Sequence, residues 1–263
     1  MLFKKGIVAI ACVAVLGSCG GSSNDAKYDC TANVFAASSL STALTDMTSE
    51  IQDALECEIT FTFGSSGALA ASITNGTKPD AFISSGLDAL AAAGLDTADA
   101  HALVESHLAI ITQKGSTAET EVLSVENLLD TQWKFGVCSA SAPCGELADL
   151  VLLNAMDVYG EEFDFSREAL ADTEAPSASA LLTKLNMGEL DVVLGYASSC
   201  AGQSDLSCTA IPDSFNGRHL GEKSTYYVSI LGSSEVSARL REYLYSFTFP
   251  GRLVSDFGFE KLS

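Results

Sequence analysis

Beyond residue 28, short apolar runs rich in Val, Ile and Phe alternate with Ala- and Leu-rich stretches whose apolar positions recur every three or four residues. That alternation predicts an α/β fold, with mainly parallel sheets flanked by helices. NVFAAS (33–38), EITFTF (58–63), DAFISS (80–85), HLAIIT (107–112), TQWKFGV (131–137), DVVLGYA (191–197) and YYVSIL (226–231) read as strands. Leu40, Leu44, Met47, Ile51 and Leu55 mark one buried face of a helix over 39–55, and further helices are expected at 67–74, 145–155, 179–187 and 234–247. No solenoid-type repeat is present.

The N-terminus sets the compartment. Lys4 and Lys5 precede an apolar run from Gly6 to Leu16, too short to span a bilayer as a mature helix, which reads as an export signal. Leu16-Gly17-Ser18-Cys19 resembles a bacterial lipobox, so residues 1–18 are expected to be removed and Cys19 lipidated. The product would be exported and anchored by that lipid to the outer face of the cell membrane, with residues 19–28 as a flexible tether. A plain signal with a soluble product is the alternative. About 235 residues follow, enough for one large or two modest domains with real cores.

Charge narrows the partners. Removing residues 1–18 takes away two lysines and no acids, so 14 basic residues become 12 against 34 acidic ones, and the formal charge moves from −20 to −22. Such a chain is no nucleic-acid binder, since those carry basic patches. A small anion stays possible, because neutral donors act at contact distance while the global field is screened beyond roughly 8–10 Å.

Six cysteines remain besides Cys12 and Cys19: Cys30, Cys57, Cys138, Cys144, Cys200 and Cys208. In an oxidising compartment they suggest three disulfides. The C-x5-C and C-x7-C spacings suit local staples, 138 with 144 and 200 with 208, which leaves 30 with 57. A zinc site would want a C-x2-C pair, and a redox centre a C-x-x-C; neither occurs.

The candidate chemistry sits at strand-to-helix corners. FTFGSSGALAASITNG (61–76) passes from strand to helix through Gly64, Ser65, Ser66 and Gly67, where free backbone N–H groups and the positive end of the helix dipole meet neutral hydroxyls. Helix capping by serine is the plainer reading of the same corner. FAASSL (35–40) repeats it with Ser38 and Ser39. Cys30 lies nine residues before Ser39 and Cys57 nine before Ser66, so parallel neighbours in register would bring both serines out together. APCGEL (142–147) and APSASALL (175–182) supply two weaker small-residue helix starts.

These blocks, with GELDVVLGYA, YYVSIL and the closing FGF, resemble the molybdate-binding proteins of ABC importers over nearly the whole mature chain. The resemblance implies the two-lobed periplasmic-binding-protein fold of type II, with the ligand cleft between lobes. Residues 29–107 and 232–263 would form the first lobe and 108–231 the second, with hinge strands near 107–112 and 226–231. It implies capture of molybdate or tungstate without a counter-charge by Ser39, Ser66, the amide of Cys144, the amide near Ala178, and Tyr196. Molybdenum would enter only as bound molybdate, with no cofactor, and a monomer would hand its ligand to an ABC permease.

Other readings compete. Sulfate is a tetrahedral dianion too. A secreted serine hydrolase would need a nucleophile elbow and a partnered histidine; no G-x-S-x-G occurs, so no enzyme is expected. His101, His107 and His219 read as surface or hinge residues. A ferric-ion binder would need clustered tyrosines, but Tyr226 and Tyr227 are adjacent and face opposite sides of a strand.

Overall fold

A computed structural model describes residues 27–263. The expected signal at 1–18, Cys19 and the tether as far as residue 26 lie outside the described residues. The strands are β1 (Thr31–Ala37), β2 (Glu58–Gly64), β3 (Ala81–Ser85), β4 (His101–Gln113), β5 (Phe135–Cys138), β6 (Thr173–Ala175), β7 (Val192–Tyr196), β8 (Leu206–Ala210), β9 (Ser214–Phe215), β10 (Arg218–His219) and β11 (Lys223–Ile230).

Among the described residues, β1 to β8 and β11 join in one path of order β2-β1-β3-β11-β4-β7-β5-β6, with β8 also on β4. The pairings of β1 with β2 and β3, and of β5 with β6 and β7, are parallel. Those involving β4 and β11 are antiparallel. The expected parallel character therefore holds within each half and is broken by the strands that cross between them.

The crossing is visible along β4. His101 to His107 pair with β11, whereas Leu108 to Thr112 pair with β7. One core gathers Val34, Leu44, Ile51, Ile83, Tyr226, Val228, Leu240 and Phe249, and another gathers Leu108, Ile110, Phe135, Val151, Leu181 and Val193. On the opposite face of the first sheet, Phe35, Leu69, Phe82 and Leu90 pack together. β3 is buried at every residue, with Ala81 and Ile83 in one core cluster and Phe82 in another on the opposite face, and its two serines at the end. β11 pairs with β3 over Tyr226–Ile230, and Tyr226, Val228 and Ile230 pack with the first core.

Local chemistry explains where elements depart from the simple pattern. The helix expected over 39–55 is a 3-10 turn at Ser38–Leu40 followed by helices Ser41–Asp46 and Thr48–Leu55. There the Thr48 hydroxyl donates to the Leu44 carbonyl at 2.8 Å, a back-bond that bends helices. The strand expected from 131 begins only at Phe135, since Asp130 accepts from the Gln132 amide at 3.1 Å and turns the chain. A helix at Thr248–Phe257 was masked in sequence by Pro250 and Gly251. Pro250 sits in its first turn, where a missing N–H breaks no intrahelical bond.

Disulfides join Cys30 to Cys57, Cys138 to Cys144, and Cys200 to Cys208, the pairing the spacing suggested. No helix among the described residues is long and apolar enough to cross a membrane.

Candidate functional site

Parallel strands followed at once by helices deliver their corners to one edge of the sheet, and ligands in open α/β sheets gather at the carboxyl ends of such strands. Here β1, β2, β3 and β7 bring Ser39, Ser66, Ser85 and Tyr196 to one small cavity between the two halves. Cys144, from the helix Pro143–Tyr159, and Ala178, from the helix Ala178–Asn186, complete the opposite wall. All five residues expected from the sequence thus line the same cavity. Its remaining wall is Ala, Gly, Pro and Ser, with no charged side chain in the lining.

The register of β1 and β2 does much of this work. Thr31 pairs with Glu58 and Ala37 with Gly64, so the two strands end level and Ser38–Ser39 emerges beside Ser65–Ser66. The Gly-Ser-Ser-Gly corner serves both readings at once, on adjacent residues. Ser65 caps the helix Ser66–Thr74, its hydroxyl accepting from the Ala68 amide at 3.3 Å. Ser66, 1% exposed, instead accepts from the Ser85 amide at 3.1 Å and lines the cavity. Ser177 caps the helix at Ala178 in the same manner, accepting from the Ala180 amide at 3.3 Å. The helix Pro143–Tyr159 has no side-chain cap; Cys144 and Ala178 both stand in first turns, whose N–H groups have no intrahelical acceptor.

Tyr196 is 2% exposed and its hydroxyl lies 2.8 Å from that of Ser85, which in turn lies 2.7 Å from that of Ser224. Burial pushes the Tyr196 phenol up to about 12, so it keeps its proton at any ordinary pH. Ser39 lies 2.8 Å from the hydroxyl of Tyr226, a fully buried ring packed edge-on against Tyr196 and Phe259. Burial likewise raises the Tyr226 phenol well above its ordinary value.

The wall at Cys144 is held by more than its disulfide. Arg167, itself buried, donates from Nη1 to the carbonyl of Cys138 and from Nη2, at 3.0 Å, to that of Gly145, while Nη2 and Nε lie 2.7 and 2.9 Å from Asp149 Oδ1. Ser139 donates its amide to Ala175 at 2.7 Å, tying this loop to the end of β6.

Ser85 and Arg167 were not singled out from sequence, and Tyr226 was weighed there only as a possible metal ligand. Ser85 was the most accessible of the three, because AFISS (81–85) ends in paired serines as AASS (36–39) does. Tyr226 and Arg167 reach the site only through folding, from 187 residues and 22 residues away from the groups they touch. Tyr226 and Tyr227 do face opposite sides, packing with different clusters. His101 stacks on Tyr245, His219 meets Glu222, and His107 at the crossing bridges Asp213 and Glu260; none lines the cavity.

The cavity is lined by hydroxyls and first-turn helix residues with no charged side chain among the described residues. The model of a bacterial extracellular solute-binding protein family matches residues 32–251. No curated protein matches the chain. Among solved structures, the periplasmic molybdate-binding protein of Azotobacter vinelandii is similar at 15% identity and a TM-score of 0.69, covering 88% of this chain and 100% of that one. The sulfate-binding protein SubI of Mycobacterium tuberculosis is similar at 13% identity and a TM-score of 0.70, covering 89% and 88%. A substrate-binding domain ascribed to a molybdenum ABC transporter of Clostridium difficile shows 24% identity and a TM-score of 0.61, covering 89% and 99%. At these identities the structures speak for the two-lobed fold alone.

Proposed function

Because the chain belongs to the bacterial extracellular solute-binding proteins, we propose that its cleft captures molybdate and tungstate for delivery to an ABC permease. The observation that carries this reading is the convergence of Ser39, Ser66, Cys144, Ala178 and Tyr196 on one small cavity with no charged side chain in its lining. Three hydroxyls and two helix-start amides supply only neutral donors, which suits a compact anion that accepts hydrogen bonds all round. Hydrogen phosphate carries a proton that wants an acceptor, and no carboxylate lines the cavity to provide one. Sulfate, which satisfies the same donors, is the second reading, supported by the fold shared with the sulfate-binding protein.

Closure of the two lobes over the anion would present the shape a permease prefers, so that binding and docking are coupled. The protein would act as a monomer held at the outer face of the membrane by a lipid on Cys19. Calorimetric titration with molybdate, tungstate, sulfate and phosphate in turn tests the reading. Molybdate and tungstate are expected to bind tightly, sulfate more weakly and phosphate not at all. The site assignment fails if the double variant Ser39→Ala/Ser66→Ala binds molybdate as tightly as the unaltered protein.

A further inference from the structure

Each hydroxyl assigned to the anion has a second polar group within hydrogen-bond distance. The Ser85 amide donates to Ser66 Oγ at 3.1 Å. Tyr226 Oη lies 2.8 Å from Ser39 Oγ, and Ser85 Oγ lies 2.8 Å from Tyr196 Oη and 2.7 Å from Ser224 Oγ. These partners come from β3 and β11, two strands that pair antiparallel; Ser85 is itself in the cavity lining, and Tyr226 and Ser224 lie outside it. An amide can only donate, so Ser66 receives a hydrogen bond from Ser85 and its own proton is free for the cavity. The other two pairs are hydroxyl to hydroxyl, and either oxygen can be the donor.

We infer that Tyr226 and Ser85 are positioning residues that set the direction of this hydroxyl network, pointing the protons of Ser39 and Tyr196 at the bound anion. The inference rests on the oxyanion reading of the cavity. A fully deprotonated oxyanion has no proton to give, so Ser39 and Tyr196 must donate to it, and each then offers a lone pair to its partner. Tyr226 fills that lone pair on Ser39. Ser224 donates to Ser85, and Ser85 to Tyr196, so every proton in the chain has one place to go. Hydrogen bonds in such chains polarise one another, which strengthens the donor to the anion without a formal charge. Burial supports the assignment, because both phenols stay protonated and available as donors.

The test is a double-mutant cycle on the full chain, titrated with molybdate and with sulfate. Tyr226→Phe deletes one oxygen and keeps the buried ring. It should weaken anion binding roughly three- to tenfold, the size of one hydrogen bond. Ser39→Ala should weaken it further, and the double variant should bind no more weakly than Ser39→Ala alone, since Tyr226 acts only through Ser39. A ring that merely packs would give no loss in Tyr226→Phe, and a hydroxyl that acts independently of Ser39 would give multiplying losses. Ser85→Ala paired with Tyr196→Phe makes a second cycle with the same expectation, in case either variant of the first does not fold. Full affinity in Tyr226→Phe and Ser85→Ala, or multiplying losses in both cycles, would overturn this inference while leaving the oxyanion reading intact. Failure of the unaltered protein to bind molybdate, tungstate or sulfate would instead overturn both.

Discussion

Ala37 and Gly64 form the last pair of the parallel ladder between β1 and β2, and the residues that follow them open the two serine corners of the cavity. The same offset, a separation of 27, joins Cys30 to Cys57 at the other end of the ladder. The disulfide and the cavity are thus two ends of one register, since a parallel pair slipped by one residue would turn every side chain to the other face.

The disulfides should separate stability from affinity. By chain entropy, the loop closed by Cys30 and Cys57 contributes about 3.5 kcal/mol and the short loop closed by Cys138 and Cys144 about 2 kcal/mol. Replacing the first pair by serine is expected to lower the denaturation midpoint more. Replacing the second should cost less stability and more anion affinity, because Cys144 lines the cavity. Urea melts and calorimetry on the two double variants check this, and equal affinity losses would refute it.

Gly145 allows the helix start to press against the preceding loop: a Cβ built there would lie 2.0 Å from the Ser139 carbonyl oxygen. Backbone cannot give way as a flexible side chain can. Gly145→Ala should therefore shift the adjoining Cys144 amide, reduce anion affinity at least tenfold and destabilise the fold by about 1–3 kcal/mol. Titration and thermal melting of the variant decide it.

Arg167 connects three parts of the same wall, the carbonyls of Cys138 and Gly145 and the carboxylate of Asp149. Arg167→Met keeps the buried stem but leaves two carbonyls without their donor. A loss of about 2–3 kcal/mol is expected, discounted from the full buried-pair value because Asp149 is 42% exposed. Arg167→Lys should recover only part, since an ammonium cannot span the three acceptors as the planar fork does. Denaturant melts of both variants rank them.

Neutral donors predict an unusual indifference to pH. Among the described residues, the only titratable group in the cavity lining is Tyr196, raised to about 12 by burial, so affinity for sulfate should be flat between roughly pH 6 and 9. Folding behaves differently in alkali. Tyr196 and Tyr243 are raised from 10.0 to about 12, and Tyr226 is raised as well, chiefly by burial. The unfolded chain would lose those protons first. Stability is therefore intact below about pH 10 and falls between pH 10 and 12, by on the order of 2–3 kcal/mol for Tyr196 alone. Melting temperatures across that range, compared with Tyr196→Phe, test the sign.

Much of this was legible in the chain itself. Local apolar spacing marked β1, β2, β3, β7 and the helix Ser66–Thr74, because each is decided by residues within a few positions of one another. The equal nine-residue steps from Cys30 to Ser39 and from Cys57 to Ser66 announced a register that the ladder then shows. The corners at Ser39 and Ser66 could be picked out because sequence marks strand-to-helix turns with small and capping residues, whereas naming Cys144, Ala178 and Tyr196 with them rested on the resemblance to molybdate-binding proteins. Tertiary structure alone decided the rest. That β11 belongs with the first core, that Ser85 meets Tyr196 and Tyr226 meets Ser39, and that Arg167 grips the Cys138–Gly145 loop all depend on contacts between distant segments. Local propensity carries no information about such partners; they are selected when burial forces each polar group to find one.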